Sequence, residues 1–508
     1  MISGLRIALI SKYNAAQSLL VVLQTSDPAP TVLYSTTESY DNLLPVGQDE
    51  RWDIFKSFHT DLEDSFPLIY SNLESTTVNT YDLVFHWQGS NDSLKPLLLT
   101  AHQDVVPVDW SNEDRWIHRP YSGHYDGTWI WGRGNHTVIV SLTYYYRITV
   151  NSLLGAGFNP QRTIVLAFGF DEEASGTEGA GQLAVYLEGR YGMNAFAMIL
   201  DEGEGYTENV KQGAIFALPG VSEKGYFDAS IKVSTPGGHS SVLPDHTSIG
   251  LLSLLIVSLE SNPHLPRLTR NGTAFAAAQC AVAHAPEGKF PPVMKTLARR
   301  AMNPHDEIAL KKFGDVLFEA VPFFSVLSRT TQAVDLISGG VKVNALPERA
   351  EALVNHRIAD STSEIKNHIT DLVLFFGAQH NLSIHGFGVD VRHGSEIGKI
   401  VLSEAFYSAL EPSPLTPIAN NHMYDVLSGT IKATLQSSSR YEAANVVLTP
   451  SLGLDTRFCW NLTENIFRYS HRGDRNAVYS GVHTTNEAIR GESFIEDIRF
   501  FTRYTQFR

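Results

Sequence analysis

Apolar runs in the first two hundred residues are short, and each stops at a polar cluster. Pro96-Leu97-Leu98-Leu99-Thr100-Ala101 ends at His102, Thr163-Ile164-Val165-Leu166-Ala167-Phe168 leads into Asp171-Glu172-Glu173, and Ala195-Phe196-Ala197-Met198-Ile199-Leu200 ends at Asp201-Glu202. Runs of this length without alternation predict buried strands of a parallel sheet, although periodicity alone leaves a buried helix open. In open α/β sheets the reactive groups gather at the carboxyl ends of the strands. Three runs ending in histidine or carboxylate are therefore predicted to share one crevice.

A second pattern begins near Lys224. Phe227-Asp228-Ala229-Ser230-Ile231-Lys232-Val233 alternates like a half-exposed strand, and Pro236-Gly237-Gly238 turns it. Residues 247–259 read as an apolar helix, Ala350-Glu351-Ala352-Leu353-Val354 as another strand, and 365–376 as a second helix. Alternating strands with helices on one face predict a smaller α+β domain. Its expected span is 223–393, inserted into a larger α/β domain formed by 1–222 and 394–508.

Composition fits this picture. At 508 residues, 43% hydrophobic and 18% charged, the chain can bury a large core and build two domains. A formal net charge of −15 argues against nucleic acid as a partner, because phosphate neutralisation needs basic patches. Two cysteines, Cys280 and Cys459, supply neither a disulfide framework nor a cysteine-based zinc knuckle. The run Ile7-Ala8-Leu9-Ile10 is cut by Ser11 and Lys12, and no stretch reaches the ~18 apolar residues of a membrane span. No clear signal peptide or membrane anchor is visible. Sequons at Asn91, Asn135, Asn271, Asn381 and Asn461 are close to the roughly four that chance would give, and do not decide location.

The chemistry resides in the polar clusters. Amide hydrolysis near neutral pH needs an activated water and a group to hold the developing oxyanion, and a zinc pair supplies both. Zinc takes imidazole nitrogens and carboxylate oxygens, and a nearby glutamate can take the proton. His102 and Asp104 form a His-x-Asp, and an aspartate that orients a ligating histidine is a known device. Glu172 and Glu173 would point opposite ways on an extended backbone, so a loop is expected to aim one at metal and the other at water. Asp201 follows the third run, and His483 lies far downstream. Taken singly, each has a plain structural reading: a satisfied core pair, a solvated acidic loop, a helix cap. Gly-x-Ser-x-Gly, His-Glu-x-x-His and a strand-following Gly-x-Gly-x-x-Gly are absent from the sequence, which argues against a serine hydrolase, a zincin and a dinucleotide-binding enzyme.

The text around these residues is distinctive. Leu99-Thr100-Ala101-His102-Gln103-Asp104-Val105-Val106-Pro107-Val108 closely resembles the first metal motif of the carboxypeptidase S and aminoacylase group of co-catalytic zinc metallopeptidases. Trp129-Ile130-Trp131-Gly132-Arg133-Gly134 resembles the lead-in to the second, and Gly169-Phe170-Asp171-Glu172-Glu173 the third, with Phe170 where histidine is more usual. Leu200-Asp201-Glu202-Gly203, Gly237-Gly238-His239-Ser240-Ser241 and Gly481-Val482-His483-Thr484-Thr485-Asn486-Glu487 complete six motifs in order. The similarity runs from about Tyr40 to the C-terminus with one gap.

The resemblance implies a zinc-exopeptidase-like α/β domain with a central mixed, largely parallel sheet, and an inserted α+β lid or dimerisation domain. It implies two zinc ions per chain, one held by His102 and Asp201, the other by Glu173 and His483. Glu172 would be the general base, Asp104 would steer His102, and His239 would help stabilise the oxyanion. Val343-Asn344-Ala345-Leu346-Pro347 and Val354-Asn355-His356-Arg357 also match the group, where such Asn and Arg engage the substrate's carboxylate and nearby backbone. Arg357 suits that task through its planar fork, the alternative being an ion pair within its own domain. The implied substrate is a small peptide cleaved at its C-terminal bond, or an N-acyl amino acid. A vacuolar location and a homodimer are further implications, although the long segment from Asn271 to Leu336 could block or replace the dimer contact.

One motif breaks. After Gly134 the group carries an aspartate that bridges both zincs, but this chain reads Asn135-His136-Thr137-Val138, with Thr137 at the bridging position. A neutral hydroxyl is a poor zinc ligand beside a carboxylate and removes a negative charge between two dications. Residues 137–150 are rich in β-branched and aromatic residues, mediocre helix formers where the group has a helix. Two readings follow for segment 135–151: a misread splice junction, or a protein that has lost its bridge and holds one zinc or none.

Overall fold

A computed structural model describes residues 36–507, apart from 135–138, 208–213, 286–287, 439, 442–444, 454–455, 474–480 and 482, with backbone alone at 139–142 and 395–397. The chain divides into two compact units. One comprises Met1–Val221, His284–Pro286 and Leu415–Arg508; the other comprises Ser222–Ala283 and Glu287–Pro414.

The first unit is built on an eight-stranded sheet. Its order is Glu74–Val78, Asp82–Trp87, Ile164–Gly169, Leu97–His102, Met198–Asp201, Ile466–Arg468, Gly220–Ser222 and Ser451–Leu452. The four strands from Ile164–Gly169 to Ile466–Arg468 are parallel neighbours, while Glu74–Val78 and Asp82–Trp87 run antiparallel at one side. The three apolar runs read from sequence are thus adjacent parallel strands. Register pairs His102 with Gly169 and Leu99 with Leu200, so their polar ends emerge at one level.

Both faces of this sheet are covered, as unbroken apolar strands require. Leu97, Leu99, Leu166, Phe168, Met198 and Leu200 pack into one cluster that includes residues of the helices Ile139–Gly155 and Gly491–Tyr504. Leu98, Val165, Ala167 and Ile199 face the other way, against Leu183 and Leu187 of the helix Ala180–Tyr191. Successive strand residues point to opposite faces, which produces this sorting.

The helix Ile139–Gly155 forms despite its β-branched and aromatic sequence. Tyr145 and Tyr146 are buried, with Tyr145 4.7 Å from Phe494 and Tyr146 4.5 Å from Phe501, centroid to centroid. Tertiary burial outweighs a propensity deficit of a few tenths of a kcal/mol per residue. Thr137 and its neighbours 135–138 lie outside the described residues. Among the described residues no helix is long and apolar enough to cross a membrane.

The second unit carries a six-stranded sheet, ordered Thr331–Gly339, Arg349–Ile358, Gly225–Ser234, Ser395–Glu404, Leu382–Gly386 and Val389–Arg392. Phe227, Ala229, Ile231 and Val233 alternate into its core with Ala350, Ala352 and Val354, beneath the helices Ser248–Ser261 and Thr362–Gln379. Its chain continues past residue 393 to Pro414, because Ser395–Glu404 lies beside Gly225–Ser234 as an interior strand. Helices Thr273–His284, Pro292–Ala301, Glu307–Ala320 and Pro322–Leu327 build a separate apolar cluster around Phe275, Phe313 and Leu317.

Arg147 is fully buried on the helix Ile139–Gly155, its guanidinium over Phe85 and Phe168 at 4.9 and 4.6 Å. Nη1 donates to the Tyr70 hydroxyl at 3.3 Å, while Nε and Nη2 are buried and have no hydrogen-bond partner among the described residues. A buried cation so poorly satisfied costs more than an apolar side chain of similar length. Arg147→Met is expected to stabilise the protein by about 1 kcal/mol in urea denaturation; a loss of stability would show that the ring contacts outweigh desolvation.

Candidate metal centre

The centre is assembled where the parallel strands end. His102 is the last residue of Leu97–His102 and is buried. Two residues on, Asp104 is fully buried and sits 3.0 Å from His102 Nδ1. The same carboxylate accepts the backbone N–H of Glu172 at 3.1 Å and of Glu173 at 2.9 Å. Asp104 therefore ties the end of one strand to the loop that follows the next. With Nδ1 turned to Asp104, Nε2 of His102 faces the cluster.

Glu172 and Glu173 open a single helical turn, Glu172–Ala174, rather than an extended loop. The turn brings both carboxylates to one side, where each has an oxygen within 4.8 Å of a His102 nitrogen and of the other. Glu172 Oε2 lies 3.8 Å from His102 Nε2, and Glu173 Oε1 lies 3.2 Å from His483 Nε2. His483 is brought to Glu173 from some three hundred residues downstream.

Asp201 ends the strand Met198–Asp201 and lines the same small cavity as His102 and Glu172. The carboxylate that approaches His102 Nε2 at 3.4 Å, however, belongs to Glu202. Sequence reasoning assigned Glu202 no role. A second adjacent acidic pair at a strand end, matching Glu172-Glu173, was the signal for it.

The remaining candidates lie in the second unit. His239 is exposed and pairs with Ala345 across a two-residue ladder, and Ser240 N–H donates to Asn344 O at 3.4 Å. Ser241 N–H donates to His239 Nδ1 at 3.2 Å, so the neutral ring carries its proton on Nε2, where it can donate. Arg357 is exposed, its guanidinium 4.7 Å from the Tyr226 ring centre, and among the described residues it forms no ion pair.

Electrostatics at the strand ends favour a cation. Burial pushes the Asp201 carboxyl up to about 7, and Glu202 adds to the effect. Asp171 is pushed up to about 7 by burial and by Asp104, against backbone N–H donors from Glu178 and Gly179. Burial opposes charge on His102, but Glu202, Glu172 and Asp104 together raise its pKa well above the usual value. Glu173 raises that of His483 by hydrogen bonding. The two aspartates thus retain protons chiefly because burial disfavours their charge, with neighbouring carboxylates adding to it, and carboxylates are also what raise the two histidines.

These residues fit a zinc ion. The donors are imidazole nitrogens and carboxylate oxygens, the set zinc prefers. His102 Nε2 and Glu202 Oε2 are buried and 3.4 Å apart, and among the described residues neither has a further hydrogen-bond partner, so a cation could take both. Asp104 supplies the orienting contact that metal-binding histidines characteristically make.

The chain is similar to known proteins in sequence and in fold. Residues 98–506 match the model of "Peptidase family M20/M25/M40". "Uncharacterized carboxypeptidase C24C9.08" of Schizosaccharomyces pombe is 36% identical, over 92% of this chain and 76% of its own. "Carboxypeptidase S" of Saccharomyces cerevisiae is 35% identical, over 91% of this chain and 80% of its own. The crystal structure of human carnosine dipeptidase 1 is similar in fold, with a TM-score of 0.60 at 13% identity, covering 99% of this chain and 98% of that one.

Two outcomes are expected. Asp104→Asn should weaken zinc binding about 10- to 100-fold, measured by competition with a chelator of known affinity; unchanged affinity would remove Asp104 from the centre. The second concerns pH. Unfolded, Asp171 and Asp201 release protons near 3.8, whereas folded they hold them to about 7. The folded state therefore binds more protons between these values, and stability falls as pH rises through that window. The raised His102 and His483 act in the same direction. Melting temperature in chelator should drop from pH 5 to pH 8 and recover on adding zinc; a flat profile would contradict the charge balance.

Proposed function

The chain belongs to peptidase family M20/M25/M40, and from that membership we propose a zinc-dependent exopeptidase that cleaves the C-terminal bond of small peptides. The observation that carries this reading is the His102, Glu172 and Glu173 cluster at the strand ends. His102 and Asp201 are proposed to hold one zinc, Glu173 and His483 the other, with Glu202 beside them. Bound zinc would lower the pKa of a coordinated water and polarise the scissile carbonyl.

The protein's own groups do the rest. Glu172 takes the proton of the attacking water and delivers it to the leaving amine. Asp104 keeps Nε2 of His102 turned toward the cluster. His239 donates its Nε2 proton to the oxygen on which charge develops. Asn344 and the guanidinium of Arg357, which stacks on Tyr226 and has no ion pair among the described residues, receive the free carboxylate that marks the end of the substrate.

An N-acyl amino acid presents the same amide and the same carboxylate, so it is the alternative substrate. A panel of dipeptides, their C-terminal amides and N-acyl amino acids separates the two. Vacuolar residence belongs to the same proposal and is carried by the likeness to carboxypeptidase S.

Thr137 favours a second reading. Without a bridging aspartate the proposed ligands give each zinc two protein groups, which would leave a peptide-binding relative with weak metal affinity. Zinc per chain, with and without Thr137→Asp, decides between them. Two zincs and turnover in the unaltered protein support the peptidase; one or none, restored to two by the substitution, supports the impaired form. In whichever version turns over, Glu172→Gln should lower kcat by about 10²–10⁴ with zinc content unchanged. Loss of zinc together with activity would instead make Glu172 a ligand.

A further inference from the structure

His483 is the proposed ligand with the least to hold it. Its side chain is 41% exposed against 9% for Glu173, and its backbone sits at φ 61°. That region disfavours residues other than glycine and persists only where neighbouring structure enforces it. Asn486, three residues on, also has a positive φ of 64°. Something outside the loop must fix its course.

The fastening is visible. Glu487 is fully buried, and its Oε2 meets Arg133 Nη1 at 3.0 Å. Arg133 is itself 7% exposed, and Nη1 also reaches the carbonyl of Thr484 at 3.4 Å. Gly132 N–H donates to Glu487 O at 3.0 Å, and Ala488–Arg490 then continues as a strand antiparallel to Trp129–Trp131. On the other flank Asn486 Oδ1 accepts Ile117 N–H at 2.6 Å, and Asn486 Nδ2 donates to Arg115 O at 3.1 Å. Arg133 is held in turn, its N–H on Pro120 O at 2.5 Å and its guanidinium over the Trp116 ring at 5.5 Å.

We propose that the buried Arg133–Glu487 ion pair is a positioning device that sets His483 against Glu173. It rests on the reading of His483 as a metal ligand. The guanidinium holds the stretch just after His483 at two points, Glu487 by charge and Thr484 by its carbonyl, so His483 is delivered by that anchor rather than by packing around its ring. Burial makes the pair directional. A carboxylate withdrawn from water there holds one partner in one geometry, and its loss leaves the loop free to relax from its left-handed turns. Neither residue touches substrate or zinc in this account.

The test measures zinc affinity by chelator competition, and the visible spectrum of the cobalt(II)-loaded protein, for Glu487→Gln, Arg133→Lys and His483→Ala. The series is run in the unaltered chain and in the Thr137→Asp background. Circular dichroism establishes the folded fraction, and affinity is expressed per folded chain, which a purely structural role would not change. Glu487→Gln keeps the shape and a neutral acceptor, whereas Arg133→Lys keeps the charge but loses the fork. Both should weaken the zinc site about 10- to 100-fold and alter the cobalt spectrum in the direction of His483→Ala. If His483→Ala weakens binding while both pair variants bind as the parent does, the positioning role is overturned and the ligand stands. If His483→Ala changes nothing, the ligand reading fails and takes the positioning role with it.

Discussion

A single buried carboxylate organises the reactive end of this protein. Asp104 receives three contacts, from His102 Nδ1 and from the backbone N–H groups of Glu172 and Glu173. An aspartate fully withdrawn from water is tolerable only when such donors satisfy it. The consequence is geometric. The imidazole is turned so that Nε2 faces the cluster, and the Glu172–Ala174 turn is pinned so that two adjacent carboxylates share a side. Removing Asp104 would free both at once.

The sheet makes that contact possible. Because Leu97–His102 lies between Ile164–Gly169 and Met198–Asp201 in parallel register, His102, the Asp171-Glu172-Glu173 run and Asp201-Glu202 emerge together. Covering both faces with helices keeps water from the strands and concentrates negative charge at their ends. There burial holds protons on Asp171 and Asp201 to about 7. A divalent cation would offset that burial cost by taking the place of the protons, and Nε2 of His102 faces the same cluster.

Much of this was legible in the sequence, and for a physical reason. Buried parallel strands are continuous apolar runs, so Leu97–His102, Ile164–Gly169 and Met198–Asp201 announced themselves. Gly225–Ser234 and Arg349–Ile358 alternated because one face meets helices. Other features resisted. The helix Ile139–Gly155 reads poorly because its stability comes from Phe494 and Phe501, over three hundred residues away. Ile466–Arg468 is too short to stand out, yet it completes the parallel core beside Met198–Asp201. The smaller unit reaches Pro414 rather than 393 because Ser395–Glu404 joins its sheet, and pairing across a sheet leaves no local mark. Glu202 was hidden beside Asp201. Side-chain direction at a strand end depends on the turn that follows, which the apolar pattern does not encode.

The central claim is that these strand ends form a metal centre built around His102. Anomalous diffraction from crystals loaded with zinc, recorded across the zinc edge, addresses it most directly. A peak at about 2.0–2.1 Å from His102 Nε2, with carboxylate oxygens completing the shell, is the expected result. Zinc elsewhere, or His102 and Glu202 paired with no anomalous density between the carboxylates, would contradict it.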